Sequence, residues 1–395
     1  MDHQIPKPNT NIAFYPFEDG AVLHLAGANT LWVLNAPAAT LFCLLDGERN
    51  EERLTHEYGC RFDLHAKAAS NDVRTLLDAF SSNGLLKGDP PLKTVQLQNQ
   101  KCSTNKQRTP DAEPLKGIEP ITFCASGHWF SVQCSHEQLS AQWLNLIKPL
   151  VTKPDPAHSV TEIIILPDQD GSFCSWQNKK LTGTGLQSNN IIPHLVYQVF
   201  DRVCHHTKDK LLLHAAVIAK ENRVFILPAK AGSGKSTIAA ALSASGWTLM
   251  SDELAIINTE TLKVEPYPMA IGLKSGSIAK LVDYLPNLQQ KTFHTREDGR
   301  RIHYHMPNKV KTQGGLPIAA LIFPQYSPNA TPKFETIPPL IALQKLAATG
   351  SSERPLTDKD IKALLTISQK PAHDLIFNNL KTATKKLQKT CAKFI

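Results

Sequence analysis

Three short apolar runs, IAFYPF, AVLHL and TLWVL, fall between residues 11 and 34, separated by Asp-Gly and Gly-Ala-Asn turns. Apolar runs punctuated by turn residues predict strands of a small sheet. The period then lengthens. Asn35 can cap a helix, Pro37 suits its opening turn, and Ala38, Leu41, Phe42 and Leu45 line one face before Asp46-Gly47 ends it. Asn50 can cap a second helix carrying Leu54 and Tyr58 on one side. A third groups Val73, Leu76, Leu77 and Phe80 and stops near Gly84. Strands followed by three helices predict a small winged-helix-like α+β domain over residues 1–90.

From residue 91 to 117 the periodicity disappears into Gln, Asn, Thr, Lys and Pro, too polar to bury a face, which predicts a flexible basic linker. Beyond it, ITFCA and WFSVQC read as strands, AQWLNLIKPL as a helix, VTEIIILP as a buried strand and NIIPHLVYQVFDRVCHH as a helix. One α/β domain is therefore expected over 118–395. At 395 residues the chain is long enough for such a division.

Composition adds boundaries. With 42% hydrophobic and 20% charged residues, neither disorder nor a fibrous repeat dominates. The formal charge of +8 favours anionic partners without choosing among them. Eight cysteines without a C-x-x-C pair signal neither a disulfide framework nor a zinc knuckle. Reduced thiols, no apolar run of membrane-spanning length and no secretory start predict a cytoplasmic protein. The linker has no aromatic residues among its charges and the N-terminal helices no basic recognition face, so no specific nucleic-acid partner is expected.

The chemistry concentrates at LPAKAGSGKST, residues 227–237. Gly234, Lys235 and Ser236 match the end of the phosphate-loop pattern G-x-x-x-x-G-K-[ST], with Ala229 in place of the first glycine. An apolar strand enters and an alanine-rich helix leaves. Ala231, Gly232, Ser233, Gly234, Lys235, Ser236 and Thr237 are thus the candidate nucleotide-binding residues: backbone amides for phosphate, Lys235 for the β- and γ-phosphates, the Ser236 hydroxyl for Mg²⁺. LLLHAAVIA and RVFILP lie too close in sequence for a helical crossover, so their strands must pair antiparallel, giving a mixed sheet. After the helix, WTLMSDELAII delivers Asp252 and Glu253 beside the loop, one able to take a proton and the other to bind metal. His214 alone would be a core histidine; beside this constellation it can orient Asp252 or the phosphate.

These residues resemble a known family. LHAAVIA, VFILPAKAGSGKSTIAAALSASGWTLMSDELAII is similar to the core of HPr kinase/phosphorylase, and more closely to the HPr-kinase-related group often found with peptide-modification genes. The resemblance implies a phosphate-loop kinase domain of phosphoenolpyruvate-carboxykinase-like type that transfers the γ-phosphoryl group of ATP to a serine hydroxyl. It implies Asp252 as base, Lys235 and Gly234 as phosphate binders, Ser236 as a metal ligand and His214 as the family's histidine before the loop. Glu253 stands where that family has a second aspartate and is assigned to metal or a share of the base role. The family's later arginine-glycine segment is replaced by MAIGLKSGS, which argues against phosphorolysis; Lys274 there reads as a surface lysine or a phosphate contact. Ring-shaped hexamers occur in the family, so a homo-oligomer is compatible with the resemblance.

LNAPAATLFCLLDGERNEERLTHEYG resembles PqqD-like peptide chaperones, which take the leader of a ribosomally made precursor peptide as an added strand on a sheet edge. Together these expectations describe an ATP- and Mg²⁺-dependent Ser/Thr kinase acting on a peptide or protein, with a precursor-peptide leader held by residues 1–90. A small-metabolite kinase and a non-catalytic nucleotide-responsive peptide-binding module are the alternatives. Three further features read more simply: REDGRRIHYHMP as a charged surface hairpin, with a hold on an acidic substrate or phosphate as the alternative; Cys204-His205-His206 as a helix end; and Ile376, Leu380, Ala383, Leu387 and Cys391 as the apolar stripe of a lysine-rich terminal helix packed on the kinase domain, with membrane-surface binding as the alternative.

Overall fold

The computed structural model describes residues 5–26, 30–88, 115, 117–154, 156–207, 209–349 and 354–394. The basic segment 91–117 lies almost wholly outside these residues. Two compact units are distinguished: residues 1–103 with 353–361, and residues 104–352 with 362–395.

In the first unit the strands β1 (Ile12–Phe17), β2 (Gly20–Leu25) and β3 (Leu31–Asn35) form an antiparallel meander with β2 central. Three helices follow, α1 (Ala36–Leu44), α2 (Glu51–Phe62) and α3 (Ala66–Ser82). The caps are those their sequence predicts. Asn35 accepts from the Ala38 N–H and Asn50 from the Arg53 N–H, each satisfying a donor that the first helical turn leaves unpaired. Leu23, Leu41, Leu54, Tyr58, Val73 and Phe80 close the core between sheet and helices.

The second unit is a mixed α/β structure. It begins with β4 (Ile121–Ala125), β5 (His128–Cys134), α4 (Glu137–Ile147), β6 (Val160–Pro167), β7 (Phe173–Gln177), β8 (Lys180–Leu186) and α5 (Ser188–His206). The five strands form one sheet in chain order, with only the β5–β6 pair parallel. β7 and β8 have no apolar run long enough to stand out: Gly183 and Gly185 interrupt β8, which alternates exposed and half-buried positions.

Next come β9 (Leu211–Lys220), β10 (Arg223–Pro228), α6 (Lys235–Ala244), β11 (Thr248–Ser251), β12 (Leu254–Ile257), β13 (Lys263–Glu265), β14 (Ile271–Lys274), the single turn α7 (Ser275–Ile278), β15 (His294–Thr295) and β16 (Arg301–His305). The chain ends with β17 (Leu316–Tyr326), β18 (Lys333–Thr336), α8 (Pro339–Ala348), α9 (Asp358–Ser368), β19 (Ala372–Phe377) and α10 (Leu380–Cys391). β9 and β10 are antiparallel across a two-residue turn in which Glu221 and Asn222 both take positive φ, the twist a tight hairpin requires. β10 also pairs in parallel with β17, and β17 reaches β13, so the pairings β10–β9–β12–β13–β17–β10 close on themselves. β14, β16 and β15 form a separate three-stranded sheet.

Two expectations change. The run WTLMSDELAII is not one strand: it breaks at Asp252-Glu253 into β11 and β12, both of which pair with β9. Ile376 belongs to β19, not to the terminal helix, which Asn379 caps through the Thr382 N–H; helical spacing happened to continue across a strand-to-helix junction. Leu380, Ala383, Leu387 and Cys391 do form the buried stripe of α10 and pack in one core with α6. No helix among the described residues is long and apolar enough to cross a membrane. The described cysteines are all free thiols.

Candidate functional site

The segment between β10 and α6 turns through two glycines. Gly232 and Gly234 both have φ of 90°, a left-handed conformation that costs glycine little and other residues much more. Ala229 is not among the positive-φ residues, so alanine is accommodated where the motif has glycine. A methyl group on Gly234 would lie 2.8 Å from Cζ of Phe377, whereas one on Gly232 would meet nothing within 4 Å. Gly234 is therefore required twice over, by its dihedral and by its neighbour.

Gly234 is also the N-cap of α6 and supplies no side chain, so no capping group competes for the N–H donors of the first helical turn. Such a turn can receive an anion. Ser233 behaves differently from its neighbours: its N–H and hydroxyl both donate back to the Lys230 carbonyl, at 3.3 and 2.8 Å. The Thr237 hydroxyl is likewise engaged, donating to Ser277 Oγ at 2.9 Å.

Lys235 is buried at the start of α6, and its Nζ lies 2.7 Å from Nε2 of His214 and 3.5 Å from Oε2 of Glu253. β9 carries His214 opposite Leu254, which places the imidazole beside the break between β11 and β12. Glu253 Oε2 is 3.5 Å from His214 Nδ1. Burial, and then the Lys235 ammonium, lower the His214 pKa, with Glu253 acting in the opposite sense. That lowering favours the neutral ring, whose Nε2 can accept a hydrogen bond from Lys235.

Asp252 is buried next to this pair. Its Oδ2 accepts from the Gly272 N–H at 3.1 Å, while Oδ1 is buried without a hydrogen-bond partner. Burial and then the Glu253 charge raise its pKa to about 7, opposed by Lys235, Ser236 and the Gly272 N–H. A carboxyl group titrating near neutrality can exchange a proton at working pH. Ser236, Asp252 and Glu253 offer hydroxyl and carboxylate oxygens, a donor set that suits Mg²⁺, and the unpaired Asp252 Oδ1 leaves acceptor capacity unused.

The structure brings further cations to the same place. Lys274 lies on β14, two residues after the Gly272 that holds Asp252. Its pKa is lowered first by burial and then by the like charges of Arg300, Lys235 and Arg296, with Glu253 opposing. Lys274 is thus half-buried within the field of the site and is no isolated surface lysine. REDGRRIHYHMP, residues 296–307, supplies the turn after β15 and the strand β16 that pairs with it, and at the turn Arg300 pairs with Asp298 at 2.5 Å. Of its residues His303 is fully buried, while Arg296 and Arg300 remain exposed. The hairpin, whose sequence fits either surface charge or a hold on an acidic group, contributes two cations to the field at Lys274. Cys204-His205-His206 does end α5, as expected, and no metal-binding group of three or more His, Cys, Asp or Glu side chains occurs among the described residues.

The fold and site together define a mixed α/β chain with a cationic, carboxylate-bearing glycine-loop site. No family model matches the chain, and no curated protein matches it. A solved structure described as "TbiB1 in Complex with the TbiA(beta) Leader Peptide" is similar at 21% identity, covering 21% of this chain and 95% of that chain with a TM-score of 0.20. A likeness at that score has no bearing on what this chain does.

Proposed function

We propose that the chain is a cytoplasmic ATP- and Mg²⁺-dependent kinase that phosphorylates a Ser or Thr hydroxyl of a peptide or protein, a precursor peptide whose leader is held by the N-terminal unit. The observation that carries this reading is the cluster of Lys235, His214, Glu253 and the buried Asp252 at the mouth of a loop with two left-handed glycines. The N-terminal assignment rests on the sequence resemblance to PqqD-like modules and on a small sheet with free edges at β1 and β3 among the described strands. The winged-helix-like and HPr-kinase-like folds are part of the same proposal.

In this mechanism the loop amides from Ala231 to Thr237 and the Lys235 ammonium bind the triphosphate. Lys274, Arg296 and Arg300 add positive charge where the γ-phosphate would lie. Ser236 and Glu253 would hold Mg²⁺, which when bound neutralises charge between the β- and γ-phosphates. The acceptor oxygen attacks the γ-phosphorus and the bond from that phosphorus to the β,γ-bridging oxygen breaks. ADP departs and the hydroxyl proton passes to the Asp252 carboxylate. His214, as a neutral acceptor, holds the Lys235 ammonium in place. Much of the acceleration would come from positioning.

The test uses the full chain, MgATP and candidate leader-bearing peptides that contain Ser and Thr, with phosphorylation read by mass spectrometry. Lys235→Ala abolishes transfer. Asp252→Asn removes turnover while sparing ATP binding, measured by titration calorimetry. Full transfer by either variant refutes the assignment.

A further inference from the structure

The glycine loop has two unlike flanks. β10, which leads into it, lies between β9 and β17. β9 carries His214 and pairs with the strands on either side of Asp252 and Glu253, so the carboxylates and the Lys235 contact lie on the β9 flank. The β17 flank is aromatic. β17 runs parallel to β10 and ends at Tyr326, whose N–H donates to the Ser233 carbonyl at 3.0 Å and so fastens it to the loop. Tyr326 Cβ would be 3.5 Å from a methyl group on Gly234, and its ring meets Phe377 edge-on at 5.5 Å between centroids. Phe377 is buried, whereas Tyr326 is only half-buried.

The exposed side chain of Lys280 lies over the face of the Tyr326 ring, with Nζ 3.6 Å from the ring centroid. Lys280 follows α7, which the Thr237–Ser277 hydrogen bond ties to the start of α6. The segment from Lys274 to Lys280 therefore runs from the carboxylate flank to the aromatic flank. The rim beyond Tyr326 is preformed, because the Ser327 N–H donates to the Phe377 carbonyl at 2.9 Å and Asn378 Nδ2 to the Ala330 carbonyl at 3.2 Å.

We infer that Tyr326 is the stacking platform for the nucleobase, with Lys280 as the cation that a base displaces toward the α-phosphate. This rests on the reading of the loop as a triphosphate site. A triphosphate whose γ end points to Asp252 must leave its ribose and base on the opposite flank, which is where the accessible aromatic ring lies. Stacking of a base on an aromatic side chain is worth more than an exposed cation–π contact, so the exchange is favourable.

The experiment compares MgATP with inorganic tripolyphosphate, which has the phosphates and no base, as ligands of the full chain by titration calorimetry. Tyr326→Ala weakens MgATP binding roughly 5- to 150-fold, the range that loss of one stacked base implies, and leaves tripolyphosphate affinity unchanged. Tyr326→Phe retains MgATP affinity. Tyr326→Trp, which keeps a platform should the alanine variant not fold, shows indole fluorescence quenched by MgATP and not by tripolyphosphate. Equal loss of both ligands in Tyr326→Ala, loss of neither, or an indole blind to MgATP overturns the inference while the triphosphate site stands. Wild-type protein that binds neither ligand overturns the site itself.

Discussion

Removing the charge of Asp252 without changing its shape should make the protein more stable at alkaline pH. The carboxyl is buried and its pKa is raised from 3.8 to about 7, burial being the largest cause and the Glu253 charge the next. The folded state therefore keeps a proton that the unfolded chain releases above about pH 4. Below that pH both states are protonated and the group contributes nothing; as pH rises through 7 the folded protein must ionise a buried carboxyl. A shift of about 3 units at roughly 1.4 kcal/mol each sets an upper limit of about 4 kcal/mol on the cost above pH 7. Asp252→Asn escapes that cost, since the asparagine carbonyl can still accept from the Gly272 N–H. Chemical denaturation of both proteins from pH 4 to 8.5 should give curves that coincide near pH 4 and separate on rising to pH 7. The variant should then be more stable by about 2–4 kcal/mol. Parallel curves, or a variant less stable at pH 8, would refute the burial argument.

Two other substitutions probe the same loop. Gly234→Ala meets both an unfavourable φ and the Phe377 ring, and Gly232→Ala only the former, so equilibrium unfolding should show about 1–2 kcal/mol lost for Gly232→Ala and clearly more for Gly234→Ala. His214→Ala deprives the Lys235 ammonium of its 2.7 Å acceptor and should lower phosphoryl transfer about tenfold, while His214→Asn, which offers a carbonyl, should restore most of it. Because burial lowers the His214 pKa, the folded state binds fewer protons there than the unfolded chain. Its contribution to stability is complete above about pH 6.5 and is lost as pH falls. The stability of the wild type relative to His214→Asn should accordingly fall as pH drops below about 6.5, as chemical denaturation of both proteins at several pH values would show.

Local chemistry was the legible part of the chain. Asn35, Asn50 and Gly84 announce helix ends because capping is settled within a few residues, and the antiparallel β9–β10 hairpin follows from a connection too short for anything else. Glycines at 232 and 234 announce their dihedrals in the same way. What sequence could not supply was adjacency between distant segments. For Lys274 and the arginines of the β15–β16 hairpin, sequence leaves surface charge and a phosphate contact side by side, and only the hold of β14 on Asp252 through Gly272 brings them to the site. Tyr326 carries no signal at all, since its importance comes from a hydrogen bond to Ser233 across the sheet. In β8 glycines and alternating exposure erase the apolar run that marks a strand, and in β7 Ser175 splits a strand of only five residues. Ile376 was misplaced because a spacing of four residues looks the same on either side of a strand end.

The parallel pairing of β10 with β17 sets an order of events during synthesis. The glycine loop leaves the ribosome well before the strand that flanks it and anchors Ser233, and before β19 brings Phe377 up against Gly234. A nascent chain halted ahead of Leu316 would hold the whole Gly-Lys-Ser motif yet lack the strand that pairs with β10 and fastens Ser233. Contacts closed over such a sequence separation form slowly and leave apolar strand surface exposed meanwhile. Competence to bind should therefore arrive only with the last strands, which makes the C-terminal portion a gate on when the molecule begins to work.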